Sequence, residues 1–113
     1  MKTKLVSLMA LIVFSMTSVM AQTEKKEEFK VYGNCGMCED RIEKAAKLVD
    51  GVSSVAWDKE TKMVEVSFDE SKTNVDKIQK AIAKVGHDTD KHKAKEDVYN
   101  DLPGCCKYDR VKE

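Results

Sequence analysis

Cys35 and Cys38 stand three residues apart in the stretch Val31-Tyr32-Gly33-Asn34-Cys35-Gly36-Met37-Cys38-Glu39. Thiols at that spacing can hold a soft metal ion, exchange electrons as a dithiol/disulfide pair, or staple a loop. The other two cysteines, Cys105 and Cys106, are adjacent and close to the C-terminal end. A vicinal disulfide strains the peptide between its two residues, so this pair joins poorly to itself. Its open roles are auxiliary thiolates for a metal held elsewhere, a second site, or redox and intermolecular pairing.

The residues after Cys38 decide how the first pair is presented. Ile42, Ala45 and Val49 recur at helical spacing, and the same face extended backward by four residues reaches Cys38. The spacing therefore predicts Cys38 in the first turn of a helix and Cys35 in the loop before it, with Asp50-Gly51 closing the helix. A helix N-terminus carries partial positive charge and unpaired N–H groups, which favour thiolate over thiol. Two thiolates suit Cu(I), which accepts low coordination, whereas structural zinc almost always takes four ligands.

Around this loop the remaining elements can be read from periodicity. Residues 28–33 alternate as a strand, with Phe29 and Val31 on one face. Val55 and Trp57 share a face in a second strand. Val64, Val66 and Phe68 face inward from a third, reached through residues 59–62 as a hairpin connection. Val75, Ile78, Ile82 and Val85 form the stripe of a second helix capped by Asn74 and stopped by Gly86. Residues 87–93 are short and polar, a weak edge strand at best. This order predicts an α+β fold, a ferredoxin-like βαββαβ sandwich with an antiparallel sheet and both helices on one face. A tail over 93–113 adds one or two helical turns, with Val98, Tyr99 and Leu102 as their apolar side and Pro103-Gly104 as their end.

The first 21 residues read as a secretory signal peptide: a charged start at Lys2 and Lys4, an apolar run too short to span a bilayer, and Val19-Met20-Ala21 before Gln22. Residues 22–27 are expected to be a disordered lead-in, 28–92 the folded domain. On this reading the protein is exported, periplasmic or secreted, and soluble once cleaved. An exported chain meets an oxidising compartment, where paired cysteines usually become disulfides. Without the leader, 18 Lys and Arg face 20 Asp and Glu, interspersed in sign, so no basic stripe points to nucleic acid. Of 6 methionines only Met37 and Met63 remain, which removes any Met-rich copper motif. Only 13 residues from Gln22 precede Cys35, against the roughly 30 of the βαβ unit that a thioredoxin-type order places before its cysteines.

Taken together, "CGMCEDRIEKA", "GVSSVAWDKETKMVEVSFD" and "KIQKAIAKVGHD" resemble the metal loop and first helix, the central hairpin, and the second helix and turn of the heavy-metal-associated domain family. That family is of the copper-chaperone and mercury-carrier type, and the resemblance spans about residues 28–90. It implies the βαββαβ fold, Cys35 and Cys38 as metal ligands, and a non-enzymatic role as carrier. Cu(I) is the expected ion, with Zn(II) or Hg(II) on the same fold as alternatives and a thiol–disulfide redox protein as the other class. The implied partners are a metal-transporting membrane protein or another metal-binding domain. The resemblance also places His87 at the same end of the sheet as the cysteine loop, as a third ligand or as a neighbour tuning the thiolates. The tail lies outside the usual family domain, and its helix, folded back, would present Cys105 and Cys106 as auxiliary ligands or as a second site. His92, within a charged run, reads as solvated. The chain departs from the family where Tyr32-Gly33-Asn34 replace its Gly-Met before the first cysteine. It departs again at His87, where an aromatic residue is usual.

Overall fold

The computed structural model describes residues 24–110. The expected signal peptide lies outside the described residues. Strand β1, Glu24–Lys30, leads into helix α1, Gly36–Lys47; strands β2, Val52–Trp57, and β3, Met63–Asp69, form a hairpin; helix α2, Val75–Lys84, follows. A short helix α3, Glu96–Asn100, and a 3-10 turn, Gly104–Cys106, complete the order. The fold is α+β and ferredoxin-like, with an antiparallel sheet in the order β1-β3-β2.

The alternating faces pair as their patterns require. Phe29 lies opposite Val64, which in turn lies opposite Trp57; Val66 lies opposite Val55. These side chains are buried with Ile42 and Ala46 of α1 and Ile78 and Ile82 of α2. The Asn74 side chain caps α2 by accepting from the Lys77 N–H at 2.9 Å. The hairpin connection is more specific than its composition indicates. Asp58 Oδ1 accepts from the N–H of Glu60 and Thr61, an Asx turn, and Lys62 takes a positive φ of 66°.

Four expectations need correction. Residues 24–27 extend β1 along β3 instead of forming a disordered lead-in, because the backbone of β3 continues past Val66 to Asp69 and offers them a ladder. Helix α1 ends at Lys47, before Asp50-Gly51; Gly51 serves the following turn, at a φ of +101°. Within α1, the Glu43 carboxylate accepts the Trp57 N–H at 3.0 Å and ties the helix to β2. The fourth strand is reduced to a single bridge between Val31 and Thr89. There the chain turns instead of extending: the Thr89 N–H donates to the His92 carbonyl, and buried Gln79 of α2 accepts from the Thr89 hydroxyl and the Lys91 N–H. His92, expected to be solvated, is half-buried and bonds Asp76 at 2.7 Å.

The tail folds back onto the domain. Leu102, Cys106 and Tyr108 are buried and join the core between the sheet and the α2 turn. Among the described residues no helix is long and apolar enough to cross a membrane.

Candidate metal centre

Cys35 takes the N-cap position of α1 in an extended conformation, and Cys38 lies in the first turn, as the helical spacing predicts. Their sulfurs are 3.6 Å apart. The two thiols differ sharply. The Cys38 backbone N–H is aimed at the Cys35 sulfur, and this bond, with smaller help from the neighbouring thiols, lowers the Cys35 pKa to about 6. Burial does the opposite to Cys38, which has no exposed surface and is pushed up to about 11. The expectation that the helix terminus favours both thiolates therefore holds for Cys35 alone; for Cys38 desolvation outweighs it. Cys35 is half-buried and Cys38 fully enclosed.

Cys38 is enclosed because the loop passes so close beneath Trp57. A Cβ built on Gly33 would stand 3.1 Å from the Cys38 Cβ and from two atoms of the Trp57 ring. The indole thus takes the space beside Gly33 that a side chain there would need. The ring is itself fixed by donating from Nε1 to the Val31 carbonyl at 2.9 Å.

The tail brings its two cysteines to the same place. Cys106 Sγ lies 3.6 Å from Cys35 Sγ and 4.0 Å from Cys105 Sγ, and Cys105 Sγ lies 3.7 Å from the Met37 thioether. The sulfurs of Cys35, Cys105 and Cys106 all fall within 4.8 Å of one another. All four cysteines are free thiols. Around a tetrahedral ion with bonds of about 2.3 Å, neighbouring sulfurs sit roughly 3.8 Å apart, so this spacing suits coordination without rearranging the backbone.

A polar clasp absent from the expectations holds the tail there. The Tyr108 hydroxyl donates to the Gly86 carbonyl at 2.7 Å and accepts the Asp88 N–H at 2.8 Å. Burial raises its pKa strongly, so it remains a phenol. Arg110 grips Asp88 through Nε at 3.0 Å and a terminal nitrogen at 2.9 Å, and its guanidinium lies 4.8 Å from the centre of the Tyr99 ring. The Tyr99 hydroxyl bonds the Tyr108 carbonyl. Leu102 seats against Gly86, which has a φ of +109°; a Cβ there would come within 2.9 Å of Leu102. The sequence signals for this clasp were the apolar tail residues Tyr99, Leu102 and Tyr108.

His87 does lie at the cysteine end. Its Nδ1–H donates to the Tyr32 carbonyl at 2.8 Å, and its ring stacks on Tyr108 with centroids 5.6 Å apart. The imidazole thus packs as an aromatic ring against the tail. It is fully buried, its Nε2 has no hydrogen-bond partner, and burial lowers its pKa. It is not among the three side chains that cluster through their sulfurs.

Comparison with known proteins follows the same boundaries. The family model described as "Heavy-metal-associated domain" matches residues 29–88. The mercuric transport protein periplasmic component of Pseudomonas aeruginosa is 42% identical over 53 residues, 47% of this chain and 58% of that protein. The chain thus spans less than two thirds of that relative's length. The copper chaperone CopZ of Staphylococcus aureus (strain bovine RF122 / ET3-1) is 36% identical over 55 residues, 49% of this chain and 81% of the chaperone. Oxidized MerP from Ralstonia metallidurans CH34 superposes with a TM-score of 0.56 at 36% identity, over 58% of this chain and 93% of MerP. The matched region ends at Asp88, so the segment carrying Cys105 and Cys106 lies beyond it.

Proposed function

The chain belongs to the heavy-metal-associated domain family, and from that premise we propose that it is an exported carrier of Cu(I), held by the thiolates of Cys35 and Cys38. The observation that carries this reading is the pair itself: two sulfurs 3.6 Å apart at a helix N-terminus, with Cys35 already ionised near neutral pH. Cys106, 3.6 Å from Cys35, supports an auxiliary thiolate on the tail side. His87 enters as the neighbour that steadies the loop through the Tyr32 carbonyl.

Transfer is ligand exchange, not catalysis. A thiolate of a metal-transporting membrane protein or of another metal-binding domain bonds the ion, and one Cu–S bond to this chain breaks. A second exchange completes the transfer. The half-buried Cys35 is the sulfur such a partner reaches first, and buried Cys38 leaves last. Export rests on the leader-like pattern of residues 1–21 and accords with a relative named as a periplasmic component.

Hg(II) is the second reading, favoured by the 42% identity to the mercuric protein. An anaerobic titration of the reduced protein against a chromophoric Cu(I) chelator tests the first, with Hg(II) and Zn(II) alongside. Tight Cu(I) binding, lost in Cys35→Ser/Cys38→Ser, is expected. Failure to retain Cu(I) overturns the copper reading; retention of Hg(II) or Zn(II) alone transfers it to that ion. Retention of none leaves thiol–disulfide exchange, for which the unequal pKa values of Cys35 and Cys38 would be the starting point.

A further inference from the structure

Two sulfurs near the surface, Met37 Sδ and Cys105 Sγ, come from different elements and meet at 3.7 Å. Met37 is 53% exposed and Cys105 is exposed, so neither is placed there by core packing. From Cys105 the sulfurs continue without a gap: 4.0 Å to Cys106, 3.6 Å on to Cys35, and 3.6 Å to Cys38. A single ion held by Cys35 and Cys38 accounts for one end of this row and leaves Met37 and Cys105 unexplained.

We propose that Cys35, Cys105 and Cys106 hold a second Cu(I) ion, with the Met37 thioether as its weaker fourth donor, and that Cys35 bridges this ion to the one on Cys38. The inference rests on the Cu(I) reading above and adds the ligand set and the stoichiometry. Thiolate and thioether together select Cu(I) among biological metals; zinc takes thiolate, imidazole and carboxylate. Cys35 can bridge, because its sulfur lies 3.6 Å from Cys38 and 3.6 Å from Cys106 and falls within the cluster it forms with the tail pair. No electron moves. Each thiol that arrives protonated passes its proton to solvent as its S–Cu bond forms.

The tail is built to hold its sulfurs in place before metal arrives. Pro103 accepts the Cys106 N–H at 2.8 Å to close the 3-10 turn, and the Tyr108 and Arg110 contacts anchor the chain just beyond it. Ordering paid during folding is not charged again on binding, which raises affinity at a preformed site.

Native mass spectrometry of the full reduced chain, loaded anaerobically with Cu(I), counts ions per chain and chains per complex. Two ions on a monomer are expected, falling to one in Cys105→Ser, whose exposed position leaves folding intact. Met37→Leu is expected to keep both ions but to weaken the second about tenfold in chelator competition, the loss of a weak donor. A wild-type chain that stops at one ion, or a Cys105→Ser chain that still takes two, overturns the second site. In either case a Cu(I) ion that disappears in Cys35→Ser/Cys38→Ser leaves the carrier reading standing. A wild-type chain that takes none overturns both.

Discussion

Two pairs of cysteines meet at one end of this protein by different means. Cys35 and Cys38 are placed locally: an extended residue at the start of α1, a first helical turn, and the Trp57 ring above. Cys105 and Cys106 are placed from a distance, by a tyrosine hydroxyl on the α2 turn, an arginine on Asp88, and a leucine over Gly86. The first pair depends on secondary structure that packs over the whole domain. The second depends on a few side chains in an irregular segment, where little else would resist opening. A cooperative core and a local clasp differ in how much of the structure must yield before a thiol is freed.

Removing the clasp gives the largest expected effect. Tyr108→Ala loses a buried ring and both hydroxyl bonds, a cost of about 3–5 kcal/mol. Most of that cost should fall on the tail. Alkylation of Cys106 in the apoprotein should accelerate by two to three powers of ten, while Cys38 stays protected. Mass spectrometry of alkylated peptides reads both; equal release of Cys38 and Cys106 would mean that tail and domain open as one unit.

Within the first pair the contrast is chemical. With Cys35 near pKa 6 and Cys38 near 11, alkylation at neutral pH should modify Cys35 roughly 30 to 90 times faster, allowing for the lower nucleophilicity of a low-pKa thiolate. The Cys35 rate should rise through a midpoint near pH 6 and then level off. Similar rates at the two sites would show that burial does not hold the Cys38 proton.

His87 joins the two regions and carries the smallest effect. Burial lowers its pKa below the ordinary 6.5, so in acid the unfolded chain takes up a proton that the folded chain resists. The stability due to its neutral form is complete above pH 6.5 and is lost as pH falls toward the depressed folded value. Denaturant titrations of the apoprotein should therefore show stability falling below pH 6.5. His87→Phe keeps an aromatic ring against Tyr108 and removes the titration, so its acid-side slope should be shallower. Cys35 contributes separately and at higher pH: its pKa is depressed from 9.0 to about 6, so its contribution is lost as pH falls between those two values. An unchanged slope in His87→Phe would place the acid sensitivity elsewhere.

Much of the domain was legible because its signals are periodic. Ile42 and Ala45 locate α1 and with it Cys38; Val64, Val66 and Phe68 locate β3; Asn74 and Gly86 mark the two ends of α2. Period-2 and period-3.6 patterns report burial against a sheet or a helix face without knowledge of the partner. The fourth strand was weak in sequence and is a single bridge in the structure, for the same reason that its residues are polar and satisfied by a turn.

Residue types and their spacing determined on their own that two thiols start a helix, and that an apolar β-hairpin and a second amphipathic helix enclose it. The tertiary structure alone decided that Cys38 is buried and its pKa pushed up, that Trp57 fills the space beside Gly33, and that Cys106 lies against Cys35 across 71 positions of chain. The reason is physical. Helix and strand positions follow from near neighbours, whereas a pKa depends on the solvent and dipoles around a group once folded. The tail's place depends on contacts among Tyr108, Gly86, Asp88 and Arg110, none of which belongs to a repeating pattern.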